Sequence, residues 1–430
     1  MKIFNRGIAG LVTLIAAAQA CAGFKIQAVY DASFTNDPNS AQILASIQKV
    51  IDLYEWKFTD NVTAKIYFRK TNAFGISEWG YYWNGAGVAI NAMHADVTSS
   101  DDAEAVSHLG NNFFGSIAYN SINGRALGLG TGGFLTFNGE GGFDGCVNVN
   151  SDLAFFDHNN PVPGKFDFHS MVCHELDEVL GTGSGAGDWL AFTTDLYRYD
   201  GNGNRFFSGD TNVHTYFSID GVNRIVEYNQ FGRTQGPYGD WAPHSPSMTQ
   251  DWVITDGIKL DPGEPEFRLL DVIGYDRSTV RPENYTLLRG GLVSGNLQSL
   301  FVADSNALVV RPGTVPFQAD FPVQIVLQST SRFTTPGKMR LVVTSRTPIP
   351  NIGQTVEFYD FVAGAYVVVD FRVATLGFTT AEIPVNDPAR FVDPVTRRVQ
   401  ARIKYKGTQQ IQAGSWSAFV DQAVWEVVPQ

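Results

Sequence analysis

Beyond about residue 287 the chain stops mixing element types and reads as strands alone. The runs 308–310, 323–327, 339–344, 355–361, 366–371, 401–405 and 423–428 are short, rich in β-branched and aromatic residues, and separated by turn residues. Val362-Ala363-Gly364-Ala365 joins two of them as a hairpin. Seven or more short strands in about 145 residues bury their apolar faces best as two facing antiparallel sheets. Residues 287–430 are therefore expected to form an all-β sandwich. Just before them, Arg277-Ser278-Thr279-Val280-Arg281-Pro282 has the composition of a connector, so 277–286 is expected to be a linker. A length of 430 residues accommodates such a two-domain division.

The first half is patterned differently. Phe24 to Phe34 alternates as a strand, and Asp37-Pro38-Asn39-Ser40 supplies helix-start chemistry. Ile43, Ile47, Val50, Ile51 and Tyr54 then recur at helical spacing, and Val62 to Phe68 alternates again. This order predicts a strand–helix–strand unit with the helix lying on a sheet. Farther on, Phe166 to Leu180 is the clearest helix, with short strands and turns from Leu196 to Asp276.

The extreme N-terminus reads as an export signal. Lys2 and Arg6 precede an apolar stretch from Gly7 to Ala18, and Ala18-Gln19-Ala20 has the small-residue pattern of a cleavage site, so 1–20 is expected to be a signal peptide. The apolar stretch is short of the roughly 20 residues a transmembrane helix needs, and no later segment reaches that length. Cys21 directly after the cleavage site offers lipoprotein anchoring as a lesser alternative. The formal charge of −12 becomes −14 once Lys2 and Arg6 are removed, which excludes a phosphate-tracking nucleic-acid binder. The expectation is an exported, acidic protein. Outside the cytosol Cys146 and Cys173 are open to pairing; an ordinary buried thiol is the other reading of Cys173.

Chemistry concentrates in Phe166–Gly181, where Asp167 or Ser170 can cap the helix and Met171, Val172, Leu176, Val179 and Leu180 form its apolar stripe. His174 and Glu178, four residues apart, leave one face of that helix. Zinc peptidases place two metal ligands at this spacing, with a Glu after the first as general base, here Glu175. Carboxylate oxygen is an acceptable zinc donor, so Glu178 can take the position usually held by a second His. The plainer reading is an amphipathic helix whose acidic face, Glu175, Asp177 and Glu178, is simply solvated.

His174-Glu175-Leu176-Asp177-Glu178-Val179-Leu180-Gly181 resembles the HEIDEVLG-type signature of a family of secreted bacterial zincin-like metalloproteases. The likeness continues through Asp195-Leu196-Tyr197-Arg198-Tyr199, Tyr216 to Gly221, Tyr238-Gly239-Asp240-Trp241 and Leu270 to Tyr275, covering roughly 24–276. It implies an α+β zincin-like metallopeptidase domain over 24–276, followed by the β-sandwich, one zinc ion, and endopeptidase action on proteins or peptides. His174 and Glu178 would be ligands and Glu175 the general base. The chain departs from the metzincin pattern, with Glu178 and Ser184 standing where the second and third His would be. The third ligand must come from elsewhere: Asp195, in one of the shared motifs, is the first choice, ahead of Asp188, His214, Asp240 and His244. A turn-capping carboxylate is the competing role for Asp195. The alternative function is a non-catalytic extracellular surface or adhesion protein on a degenerate version of the same fold. A glycoside hydrolase would need a separated carboxylate pair, and no spacing singles one out.

Lesser signals remain. Asp200-Gly201-Asn202-Gly203-Asn204 begins like a calcium loop, but Arg205 and Thr211 stand where that loop needs Gly and Glu, and a tight Asn/Gly turn explains it better. His94, His108, His158 and His169 lack partners at ligand spacing and are read as surface or supporting residues. Trp416 and Trp425 allow carbohydrate or cell-surface contact by the C-terminal module, with core packing the competing reading.

Overall fold

The computed structural model describes residues 23–110, 115–188, 190–230, 236–315, 317, 319–408 and 416–430. The expected signal peptide 1–20 and Cys21 lie outside these residues. Among the described residues no helix is long and apolar enough to cross a membrane.

The opening strand–helix–strand unit is β1 (Lys25–Tyr30), α1 (Ser40–Lys57) and β2 (Thr63–Lys70), with β1 and β2 parallel from Lys25↔Thr63 to Tyr30↔Phe68. Phe34 leaves the expected strand and enters a short helix, Ala32–Thr35, which starts where Asp31 accepts the Ser33 N–H. Two further strands complete this sheet, β3 (Gly75–Trp79) and β4 (Gly145–Val149), in the order β1-β2-β4-β3. β4 runs parallel to β2, while β3 is antiparallel to β4 and forms the edge. Ile43, Ile47, Val50, Ile51 and Tyr54 of α1 are all buried, as their spacing predicts. α2 (Phe168–Asp177) and α3 (Glu264–Val272) share this core, and α2 packs on both α1 and the sheet.

The expected α+β zincin-like metallopeptidase domain is corrected by this structure. The protein is mostly β, 36% strand against 22% helix. Its strands are distributed over seven sheets among the described residues, several of them only two or three strands wide. Helical periodicity is conspicuous in sequence because it repeats over several turns. The Gly- and aromatic-rich stretches between the helices instead form strands as short as two residues, such as Ala154–Phe155 and Tyr216–Phe217, which are too brief to show alternation.

The C-terminal region is a β-sandwich. One sheet orders Gly291–Ser294, Leu308–Arg311, Ala418–Pro429, Pro336–Arg346 and Thr379–Pro384; the other orders Asn284–Arg289, Val323–Thr330, Arg398–Gly407, Ile352–Asp360 and Ala365–Val373. Inward-facing Ile325, Leu327, Leu341, Val343, Ile403 and Trp425 fill the space between them. The expected linker 277–286 is corrected here. Thr279–Val280 pairs with the strand Ala418–Pro429, and Asn284–Arg289 is a full strand of the second sheet, because Val280, Tyr285 and Leu287 have a core to face. Trp416 and Trp425 are buried in that core, so neither presents a ring to a sugar. Where the sandwich meets α1, Lys57 and Arg340 converge on the buried Glu426 carboxylate at 2.6 and 2.5 Å.

Candidate metal centre

α2 begins at Asp167, whose side chain accepts the His169 N–H and caps the helix. At its other end the chain widens into a π-type turn, Glu178–Thr182, and Gly181, at φ 138°, turns the backbone out of the helix. Asn120 donates to the Glu178 and Val179 carbonyls at 2.8 Å each, and Tyr275 donates to that of Leu180 at 2.6 Å. These bonds satisfy carbonyls that a helix end would otherwise bury unpaired.

The acidic face of α2 is not solvated. Glu175, Asp177 and Glu178 are 5%, 0% and 6% exposed, so three carboxylates are taken into the interior on one helix. The Tyr54 hydroxyl donates to Asp177 Oδ1 at 2.5 Å, while Oδ2 is buried without a hydrogen-bond partner. Glu178 instead converges with His174 and with Asp240, a residue from a distant loop. One donor atom from each of the three lies within 4.8 Å of the others. The His174 Nε2 to Asp240 Oδ2 distance is 3.7 Å. Ser77 of β3 donates a hydrogen bond to Glu178.

Asp240 takes the place expected for Asp195, and that assignment is corrected. Asp195 Oδ1 accepts from Ser184 at 2.5 Å, and its Oδ2 accepts the backbone N–H groups of Gly185 and Phe192 at 2.9 Å each. With its lone pairs so occupied, and Arg198 Nε 3.5 Å away, it ties a loop together rather than facing His174. Among the other rivals, His214 pairs with Glu227 and His244 with Asp251, while Asp188 lines the nearby cleft. A signal for Asp240 did exist in the preceding glycine. A Cβ on Gly239 would stand 2.8 Å from the Thr182 carbonyl and 3.1 Å from Gly183 Cα, so only glycine brings this loop so close to the exit of α2.

The supporting contacts match a cation site. His174 Nδ1 lies 2.9 Å from the Thr249 carbonyl oxygen, so this nitrogen carries the proton and Nε2 offers its lone pair to the cluster. The neighbouring Gln250 donates to Asp240 Oδ1 at 3.4 Å, and its carbonyl accepts the Trp241 N–H at 2.8 Å. One short segment thus positions two of the three donors. Burial, and then the Glu178 charge, drive the carboxyls of Glu175 and Asp240 well above the ordinary carboxylate range. For His174 burial acts downward, but the Glu175 and Glu178 carboxylates outweigh it and the net shift is upward. Buried acids gathered with no Lys or Arg among them, counting the described residues, are the environment a divalent cation relieves. The donor set, one imidazole and two carboxylates, suits a zinc-class ion.

Glu175 sits beside the cluster with its carboxylate against the backbone of Gly75 in β3, where a Cβ would fall 2.0 Å from its Oε1. A cleft of about 560 Å³ opens alongside, lined by Ser77, Trp79, Tyr81, Asp188, Phe192 and Tyr238 among others. It adjoins the centre through Ser77 and through Tyr238, two residues before Asp240.

Cys146 and Cys173 are free, buried thiols rather than a disulfide. Burial raises both, Cys146 to about 12. Asp200 Oδ1 accepts the N–H groups of Asn202 and Asn204 at 2.8 and 2.9 Å, which closes the tight turn of the calcium-like sequence.

No protein-family model matches the chain, and no curated protein matches it. Among solved structures, a carbohydrate-binding module in complex with β-1,4-galactotriose is 16% identical, with a TM-score of 0.22, covering 33% of this chain and 86% of its own. A mutant of a family 29 carbohydrate-binding module is 8% identical at a TM-score of 0.22, covering 34% and 84%. A family 4 module is 16% identical at 0.23, covering 34% and 95%. At these scores the likeness carries nothing about the site or its chemistry.

Proposed function

We propose that this chain is an exported, metal-dependent peptidase in which His174, Glu178 and Asp240 hold a zinc-class ion and Glu175 moves the proton. The observation that carries this reading is the convergence of half-buried His174 with buried Glu178 and Asp240, and a third buried carboxylate, Glu175, beside them, at the margin of an open cleft. When bound, the ion supplies Lewis-acid polarisation of a carbonyl and of an attacking water. The protein's own groups do the rest. Thr249 holds the His174 ring through Nδ1, and Ser77 orients Glu178. Glu175, whose carboxyl burial and the Glu178 charge raise, accepts the proton of the water at its carboxylate and returns it to the departing amine.

A peptide substrate is favoured by what borders the cleft. Ser77 and Trp79 belong to β3, an edge strand whose outer side can take an extended backbone by strand addition. Tyr81 and Phe192, with rings 5.4 Å apart, add an apolar wall for side chains.

Metal analysis of the purified protein, followed by casein hydrolysis with and without chelator, tests the reading. Hydrolysis should stop on chelation and return with zinc. Glu175→Gln should keep the metal and lose turnover. Undiminished hydrolysis in that variant rejects the mechanism, and a protein that binds metal without hydrolysing peptides favours the non-catalytic surface-protein alternative.

A further inference from the structure

We propose that His158, His169 and Asp261 form a second site for a zinc-class divalent cation, at the opposite end of α2 from the His174 centre. The inference goes beyond the peptidase reading and does not depend on it.

His158 follows the strand Ala154–Phe155, His169 lies in the first turn of α2, and Asp261 lies shortly before α3. Far apart in sequence, they bring one donor atom each to within 4.8 Å of one another. His158 Nε2 is 2.8 Å from Asp261 Oδ1, and His169 Nε2 is 3.7 Å from the same oxygen. Donors about 2.1 Å from a tetrahedral ion stand roughly 3.4 Å apart, so these two separations bracket the geometry an ion would impose. The imidazole rings lie face to tilted face, with centroids 4.4 Å apart.

Two features separate this group from an ordinary ion pair. The Asp167 carboxylate takes His158 Nδ1 at 2.6 Å, which directs the other ring nitrogen at Asp261, the carboxylate–histidine arrangement that supports metal ligands. His169 is only 7% exposed, yet neither of its ring nitrogens has a hydrogen-bond partner. A buried imidazole seldom goes unpaired unless something else occupies its lone pair. The His158 pair with Asp261 is then the proton-filled form of a bond that a cation completes with His169 as third donor. Asp261 keeps a side chain 53% exposed, leaving an approach for the ion and for water in the remaining position. Its other oxygen faces Lys259 at 3.2 Å.

A cation here would tie the start of α2 to the segments before it and before α3. The test is zinc stoichiometry of the full-length protein after dialysis, in four forms: wild type, His174→Ala, Asp261→Asn and the double variant. Asp261→Asn keeps size and shape at a half-exposed position, and His169→Asn serves as an independent second probe. The site predicts that His174→Ala retains about one equivalent and that adding Asp261→Asn or His169→Asn removes it. Cobalt loading should give a visible d–d band in His174→Ala that the added substitutions abolish. Zinc content and cobalt spectrum indifferent to both Asp261→Asn and His169→Asn would overturn the second site. Failure of the first centre reads differently, as a stoichiometry unchanged by His174→Ala.

Discussion

The Glu175 carboxylate occupies the space beside Gly75 that any side chain would claim, with the Oε1 atom 2.0 Å from where a Cβ would lie. Strand and helix therefore fix the base together, and a single methyl group can separate its position from everything else in the site. Gly75→Ala should push the end of a flexible side chain aside at little cost to the fold, with melting temperature and metal content close to wild type. Turnover should fall about 100-fold, since misplacing a reacting group by an ångström has consequences of that size. Steady-state kinetics beside a thermal melt check this; wild-type turnover would mean that Glu175 is not the proton carrier.

Asp240 and Asp195 make a matched pair for separating ligation from architecture. Asp240→Asn removes one of three converging donors and should empty the centre while leaving the loop around Asp195 intact. Asp195→Asn should keep the metal but lose about 1–3 kcal/mol of stability, because its amide nitrogen would replace the oxygen that accepts from Ser184 and would remove the charge facing Arg198. Elemental analysis and denaturant melts of both variants give opposite patterns if the assignment holds.

Local order was legible in the sequence where it repeats within one element. The α1 stripe, the Asp167 cap and the His174–Glu178 spacing follow from periodicity, and the strand-only pattern after residue 287 announced the sandwich. What was not legible depends on segments meeting across the fold. Asp240 and Asp195 are the same residue type and both sit in short motifs, and only the backbone approach at Gly239 separates them. The same limit hid Gly75 and Ser77 in an edge strand, and His158 beside His169. The mistaken linker had a related cause, since the turn-like residues of 277–286 gave no hint that another sheet would pair with them.

A donor set of one imidazole and two carboxylates places two negative charges on a bound ion. It should make that ion a weaker Lewis acid than three imidazoles would, and shift the ionisation of the attacking water upward. Turnover is therefore expected to rise late along the pH axis. A pH–rate profile whose basic onset lies below about 6 would contradict the charge argument.

Away from both proposed metal sites, Asp96 predicts how stability responds to pH. Burial, then the Asp276 and Asp102 charges, raise its carboxyl from 3.8 to about 8, against a smaller opposing effect of Arg332. In the unfolded chain the same group ionises near its ordinary value, so from about pH 4 upward the unfolded state releases a proton that the folded state retains. The contribution of Asp96 is thus fully present below that range and is lost as pH rises toward 8. Asp96→Asn removes the titration and keeps the shape. Its melting temperature should decline less between pH 5 and 8, in about that window, than that of the wild type. Parallel slopes for the two proteins would show that Asp96 ionises normally in the fold.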